Sequence, residues 1–396
     1  MENGLVLLGP SLISNLYQNE GLREERLKIE FENMNFFVEA FKVIANNMFN
    51  DYSDNWDYGR FGGKQRIKKG IRNKIQKLLN RRGYYHVFTI QHLIIQNLWI
   101  NKFEYLYNSL HLEEDRKLLL DVLSYRILGY RKVKLPLNTT DYWDKVKSLE
   151  ELSDKSDFID PHFMHFILYK MNLHKINLPI EFYFTPGGVL TDFILKQYEY
   201  NNKGILIKAE KGDTVIDGGG CWGDTALFFA NEVGDSGKVY SFEFIPNNIS
   251  IFEKNVSLNE NLLERIKLVK HPLWNDSSTI IYFKDQGPGS KVSLEKFDDL
   301  DGDCLTQTID DLVIQKGIAK IDFIKMDIEG AEWNALKGAS ETIRKFKPKL
   351  AVALYHSVED FERIPMFIKN IVPEYEFYFS HCSINAEESI LFAKVN

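Results

Sequence analysis

Cysteine is scarce in this 396-residue chain: Cys221, Cys304 and Cys382 stand far apart, are odd in number and never form a CxxC pair. That argues against a disulfide framework or a zinc site and fits a reducing cytosol best. Long apolar runs are missing too, and no stretch reaches the ~20 residues that a membrane-spanning helix needs. The mildly apolar segment Gly4 to Ile13 lacks a basic flank and is interrupted by Pro10, so it does not read as a secretory signal. There is no excess of positive charge; the formal balance is −7, which gives no global basic field for nucleic acid. Repeats and low-complexity tracts are likewise absent. What remains is a cytoplasmic protein with enough chain for two compact domains, at roughly 100–200 residues each.

Aromatic residues are plentiful, at 13%. They suit an aromatic-rich core or a carbohydrate-facing surface, and composition does not choose between these. The pattern changes midway. Up to about residue 160 the chain reads as helical, with apolar residues three and four apart in Leu22–Met48, Ile67–Leu79 and Arg116–Leu128. A bridge follows over 161–203, with Pro186-Gly187-Gly188 and a helical stretch near Asp192–Tyr200. From Gly204 onward short apolar runs alternate with amphipathic ones. Thr214–Asp217, Lys238–Phe242, Ile266–Val269, Asp322–Met326 and Leu350–Leu354 read as buried parallel strands. Asp224–Val233, Asn247–Asn259, Ile309–Lys316, Ala331–Phe346 and Val358–Val372 read as the helices between them. Such alternation predicts an α/β fold, a Rossmann-like doubly wound sheet. Tyr375–Ser380 and Ser389–Lys394 would close it as an antiparallel pair.

The first strand runs into Asp217-Gly218-Gly219-Gly220-Cys221-Trp222-Gly223-Asp224-Thr225. Glycines between a strand and a helix let the backbone tighten and approach a ligand closely. Asp217, Gly219, Gly223, Asp224 and Thr225 are therefore candidate cofactor residues, with Asp217 placed to receive an amino group or a water. The next strand ends in Glu243, followed by Phe244, and Glu243 lies 20 residues after Gly223. A carboxylate there can accept both ribose hydroxyls of an adenosine cofactor. The two features suit NAD or S-adenosylmethionine. Cys221 stands where a dinucleotide fingerprint wants its second glycine, the one that admits a pyrophosphate. S-adenosylmethionine has no pyrophosphate, so the spacing favours it.

Several stretches, taken in order, resemble the FkbM family of methyltransferases. They are VIDGGGCWGDTALFFA (215–230), GKVYSFEFIPNN (237–248), QTIDDL (307–312), DFIKMDIEGAEWNALKGA (322–339), KPKLAVALYH (347–356) and HCSINAEESILFA (381–393). The departures are Gly220 and Cys221, where the family usually has Ala and Asn or a similar residue. The resemblance implies a class I methyltransferase fold over 204–396, S-adenosylmethionine as donor, and O-methyl transfer, often onto sugars of glycans or natural products. In this fold the loop after the third strand often borders adenine, which makes Leu273 and Trp274 cofactor candidates.

An alcohol is a poor nucleophile until it loses its proton, so hydroxyl methylation requires a base and an aligned acceptor. His356, at the end of the fifth strand, is the candidate general base, since an imidazole titrates near neutrality. His381 is its backup. Asp327 and Glu329 would share a face if Asp327-Ile328-Glu329-Gly330 stays extended, orienting the hydroxyl or clamping a divalent metal; the other reading has Asp327 capping the next helix. Asp310 and Asp311 read as helix capping.

The N-terminal part, 1–160, is less distinctive. Lys64 to Arg82 holds nine basic residues and no acid, with an apolar stripe through Ile67, Ile71, Ile75, Leu78 and Leu79. That pattern is a charged helix packed by its stripe, or a peripheral contact with an anionic membrane at its inner face. The resemblance adds that relatives can begin with such a segment ending in Gly-Tyr, here Gly83-Tyr84. A homo-oligomer stays open. The acceptor could also be a polyketide, lipid or protein, because specificity lies in loops. An NAD-dependent oxidoreductase and a non-catalytic cofactor-binding protein are the readings from other classes.

Overall fold

The computed structural model describes residues 36–52, 55–62 and 100–396. The basic stretch 64–82 and the first part of Leu22–Met48 lie outside the described residues; residues 36–47 of the latter are helical.

The described chain begins with helices, including Glu104–Ser109, Glu113–Leu128 and Thr140–Glu150. A three-stranded antiparallel sheet follows, made of β1 (Ser153–Ile159), β2 (Leu168–Asn172) and β3 (Glu181–Phe184). A short hairpin pairs β4 (Tyr200–Asn202) with β5 (Ile205–Ile207). Residue 160 falls in the connection between β1 and β2 of this sheet. The expected helix Asp192–Tyr200 is corrected. The helical turns over 186–194 end where Lys196 turns left-handed, at φ 52°, and Tyr200 already belongs to β4.

The main sheet uses β6 (Thr214–Gly218), β7 (Lys238–Phe242), β8 (Ile266–Val269), β12 (Phe323–Met326), β13 (Lys349–Ala353), β14 (Glu376–His381) and β15 (Ser389–Lys394). Between them, β9 (Ile280–Lys284), β10 (Lys291–Ser293) and β11 (Gly302–Leu305) form a small antiparallel sheet of their own. The order in the main sheet is β14-β15-β13-β12-β6-β7-β8. The five strands from β13 to β8 are parallel; β15 is antiparallel to β13 and to β14. The expected doubly wound sheet with an antiparallel closing pair is thus what forms.

Alternation along the strands divides the core in two, because successive side chains point to opposite faces. Ile216, Ile324, Val352 and Phe379 pack on one face with Phe103, Leu106, Leu119 and Leu123 of the N-terminal helices. Val215, Phe323, Ala351 and Tyr378 pack on the other with Phe182, Phe184, Phe228 and Phe229. Most of the aromatic content is spent on these two layers. The N-terminal helices also cap the sheet's edge. Leu110 bridges to Phe377, and Asp115 accepts bonds from Tyr200 OH at 2.9 Å and Phe379 N at 2.9 Å.

The expected single helix Ala331–Phe346 is two, Glu332–Lys337 and Ser340–Phe346. Asp310 starts the second by accepting from Glu341 N at 3.1 Å and Thr342 N at 2.7 Å, so it caps a neighbouring helix and not its own. Its own helix, Ile309–Lys316, is capped by Thr308, which accepts from Asp311 N. Asp311 instead bonds Ser277 Oγ at 2.5 Å.

Candidate active site

Strand order reverses between β6 and β12: the chain leaves β6 toward β7 and β8, then returns to β12 and continues toward β13. Open α/β sheets bind ligands in the crevice outside the carboxyl ends at such a point. Gly218–Gly223 follow β6, Glu243 follows β7, Asp327 follows β12 and His356 follows β13, so the topology brings the candidates to one end of the sheet.

The glycine turn is fixed by its neighbours. Gly219 has φ 86°, and a Cβ there would stand 1.9 Å from the carbonyl oxygen of Asp327. Its lack of a side chain lets the turn after β6 press against the loop after β12. At Gly220 a Cβ would meet Ser241 Oγ at 2.2 Å, which is the local reason for glycine where the family usually has Ala. Cys221 sits left-handed at φ 42°, and burial holds its thiol well above the usual range.

Asp217 has no exposed surface. It accepts from Thr225 Oγ1 at 2.9 and 3.0 Å and from Ser241 Oγ at 2.6 Å, and Lys325 Nζ lies 3.1 Å away. Thr225 is therefore a buttress of this carboxylate. Asp217, expected to receive an amino group or a water, forms a buried ion pair with Lys325 in the structure. The Lys325 amine also donates to Gly219 O at 2.7 Å. Burial opposes its charge, but Asp217, Asp327 and Asp224 outweigh that and raise its pKa. Lys325 escaped sequence reasoning, although a lysine inside the apolar run Phe323-Ile324-Lys325-Met326 was a signal.

Asp224, on the first turn of Asp224–Val233, is buried, and its Oδ1 has no hydrogen-bond partner. Burial lifts its carboxyl to about 6. Asp192, another residue missed from sequence, comes in from the segment before the sheet. Burial first, and the charge of Asp224 second, push Asp192 well above the carboxylate range.

Glu243 is buried at the tip of β7. Its Oε1 accepts from Phe244 N at 2.6 Å and Ile245 N at 2.8 Å, and Oε2 accepts from Asn248 Nδ2 at 3.1 Å. Burial raises its pKa to about 7, against the opposing pull of those three donors. The Phe244 ring meets Phe283 of β9 edge-on, 5.7 Å between centroids. Leu273 is buried beside Gly218, and half-buried Trp274 donates its backbone N–H to Gln307 O at 3.2 Å.

At the β12–β13 end, Tyr198 OH donates to Asp327 Oδ2 at 2.8 Å and Tyr355 OH to Oδ1 at 2.8 Å. His356 Nε2 stands 3.5 Å from Asp327 Oδ1 and 3.5 Å from Glu329 Oε2, while Nδ1 stands 2.9 Å from Glu332 Oε1. Three expectations are corrected here. The Asp327–Gly330 stretch is not extended: Glu329 and Gly330 are both left-handed, at φ 55° and 96°. Glu329 reaches its neighbours through that turn. Asp327 does not cap the helix, because Glu332 of the helix itself reaches back to Ile328 N at 2.8 Å. His356 is no near-neutral imidazole. Burial lowers its pKa, but Glu332, Asp327 and Glu329 together carry it up to about 10, so it holds its proton at neutral pH. The backup His381 is buried in the β14–β15 hairpin against Ser389 Oγ at 2.9 Å and Asn385 O at 2.8 Å. Burial depresses its pKa to about 4, and both ring nitrogens are spent on structure. Arg60 was also unforeseen; it pairs with Glu387 at 2.5 Å and Glu388 at 2.7 Å, and Gln197 bonds Glu388 at 2.7 Å.

A switch-point crevice with a glycine turn, an acid ending the second strand and an antiparallel strand inserted at the far edge defines a class I, S-adenosylmethionine-dependent methyltransferase fold. Residues 203–377 match the family model described as the methyltransferase FkbM domain. Among solved structures, an FkbM methyltransferase from Methylobacillus flagellatus KT aligns over 76% of this chain, at 19% identity and a TM-score of 0.47. The match spans 59% of that protein's length. Aeropyrum pernix fibrillarin, with natively bound S-adenosyl-L-methionine, aligns over 52% of this chain and 72% of its own, at 13% identity and TM-score 0.33. An O-methyltransferase from Bacillus cereus in complex with SAH aligns over 56% and 86%, at 13% identity and TM-score 0.32. No curated protein matches the chain. Among the described residues no helix is long and apolar enough to cross a membrane.

Proposed function

We propose that this protein transfers the methyl group of S-adenosylmethionine to a hydroxyl oxygen of a saccharide, in a glycan or a glycan precursor. The observation that carries this reading is the cluster of Asp327, Glu329 and His356, with the hydroxyls of Tyr198 and Tyr355, beside the glycine turn. The turn and Glu243 would hold the donor, with the Glu243 carboxylate accepting the ribose hydroxyls. The acceptor oxygen attacks the methyl carbon, the carbon–sulfur bond breaks, and S-adenosylhomocysteine leaves. The hydroxyl proton passes to the carboxylate side of the cluster. Glu329, with its side chain 66% exposed, is its most accessible member. Carboxylates and tyrosine hydroxyls together offer the hydrogen-bond acceptors and donors that a polyhydroxylated acceptor requires, and an apolar acceptor would leave them unpaired.

Calorimetric titration with S-adenosylmethionine, S-adenosylhomocysteine and NAD tests the donor. Micromolar binding of the S-adenosyl ligands is expected, weakened in Glu243→Ala by about 1.5–3 kcal/mol for the lost charge-assisted pair. A preference for NAD would overturn the reading. Methyl transfer from labelled donor to a panel of nucleotide sugars and glycans tests the acceptor; transfer only to polyketide, lipid or protein hydroxyls would reassign it.

A further inference from the structure

We infer that His356, Asp327 and Glu329 form a binding site for one divalent transition-metal cation at the carboxyl ends of β12 and β13. The inference deepens the proposed acceptor site and rests on that reading for its consequence, though not for the binding itself.

The carrying observation is His356 Nε2. The side chain is nine-tenths buried, the atom has no hydrogen-bond partner, and it points between two carboxylate oxygens, each at 3.5 Å. Two donors ~2.1 Å from a shared ion stand roughly 3.0–3.5 Å apart, depending on coordination geometry. Each of the two histidine–carboxylate distances is therefore that of a pair of ligands sharing an ion.

The second observation lies behind the ring. His356 Nδ1 is 2.9 Å from Oε1 of Glu332, an ion-pair contact rather than an aligned hydrogen bond, and Glu332 is fully buried, fixed by Ile328 N and left with Oε2 unpartnered. A buried carboxylate on one imidazole nitrogen, with the other nitrogen turned to open carboxylates, is the arrangement that orients a metal-binding histidine. One donor atom from each of Asp327, Glu332 and His356 lies within 4.8 Å of the other two, with Glu332 on the Nδ1 side of the ring and Asp327 on the Nε2 side. Asp327 is itself held in place by Tyr198 and Tyr355. The nearby Lys325 amine pairs with Asp217 and donates to Gly219, and its charge acts on Asp327 as well, which leaves Glu329 and Glu332 to hold the excess negative charge.

One nitrogen and two oxygens suit manganese, iron, cobalt or zinc better than calcium. A cation there would bind the acceptor hydroxyl and acidify it, which is the chemistry a methyl acceptor oxygen needs. A proton on His356 satisfies the same carboxylates, so proton and cation compete for the ring.

The test uses the full chain, stripped with EDTA and titrated with cobalt(II) at pH 8, followed by visible absorption and calorimetry. S-adenosylmethionine is titrated in parallel. One equivalent is expected to bind with a d–d band that reports nitrogen ligation. Affinity should fall about 10–100-fold in Glu332→Gln, and at least tenfold in His356→Gln and Asp327→Asn. Glu329→Gln, at an exposed side chain, covers the case in which the buried variants fail to fold, and it should weaken cobalt at least tenfold while S-adenosylmethionine still binds. No saturable signal up to ~1 mM cobalt, or equal binding by Glu329→Gln and His356→Gln, would overturn the inference and leave the cluster an ion pair. Cobalt binding without S-adenosylmethionine binding would sink the donor reading alone.

Discussion

Glu243 shows how far a single residue's chemistry carries into function. It is a carboxyl whose folded pKa, about 7, lies above its ordinary value because burial disfavours the charge. Ribose hydroxyls donate hydrogen bonds and so favour the ionised form. Donor affinity should therefore rise with pH through about 7, roughly tenfold between pH 6 and 8 if only the ionised form binds. Calorimetry at the two pH values checks this against Glu243→Gln, in which that slope should vanish; a flat wild-type profile would count against Glu243 as the ribose acceptor. Glu243, the glycines and the acid–histidine set were legible in the sequence because each ends a recognisable strand. The partners that decide their behaviour were not. Lys325 beside Asp217, Glu332 behind His356 and Asp192 against Asp224 are brought together by topology. That is why His356 read as a near-neutral base, although the carboxylates around it favour its protonated form.

At the scale of elements, hydrophobic runs identified the strands of the main sheet and most of its helices, since those strands are covered on both faces and read as nearly continuous apolar stretches. Strands with mixed polarity gave no such signal. Every residue of β1, Ser153–Ile159, is at least partly exposed, and β10 and β11 are also largely uncovered. The β14–β15 hairpin makes a prediction of its own. His381 is neutral in the fold, with a pKa of about 4 against 6.5 in the free side chain. Above pH 6.5 it has no effect on stability. As the pH falls from 6.5 to 4 the unfolded chain takes up a proton that the folded hairpin refuses. The fold should lose on the order of 3 kcal/mol from this residue across that window. Urea unfolding of wild type and His381→Asn at pH 7 and pH 5 tests it: the pH-dependent loss should be smaller in the variant, and identical losses would show that His381 titrates freely.

Across the whole molecule, the stretch 203–377 shares a hydrophobic core with the helices that precede it. Phe103, Leu106, Leu119 and Leu123 share one core with Ile216, Ile324 and Phe379, and Asp115 bonds the backbone of β14. The sequence showed a helical first part and an α/β second part but gave no sign that they share a core, because contact between distant segments leaves no local pattern. A fragment of residues 204–396 should expose that face and aggregate, whereas the full chain should unfold in a single urea transition. A soluble, cooperatively folding fragment would show the helices to be an appendage.

The buried amine of Lys325 reaches solvent only when the structure around it opens. An amine-reactive reagent would modify surface lysines quickly and this one at the pace of opening. Mass spectrometry of the peptide carrying it would thus time how often the molecule's centre comes apart, and a bound donor should slow that clock.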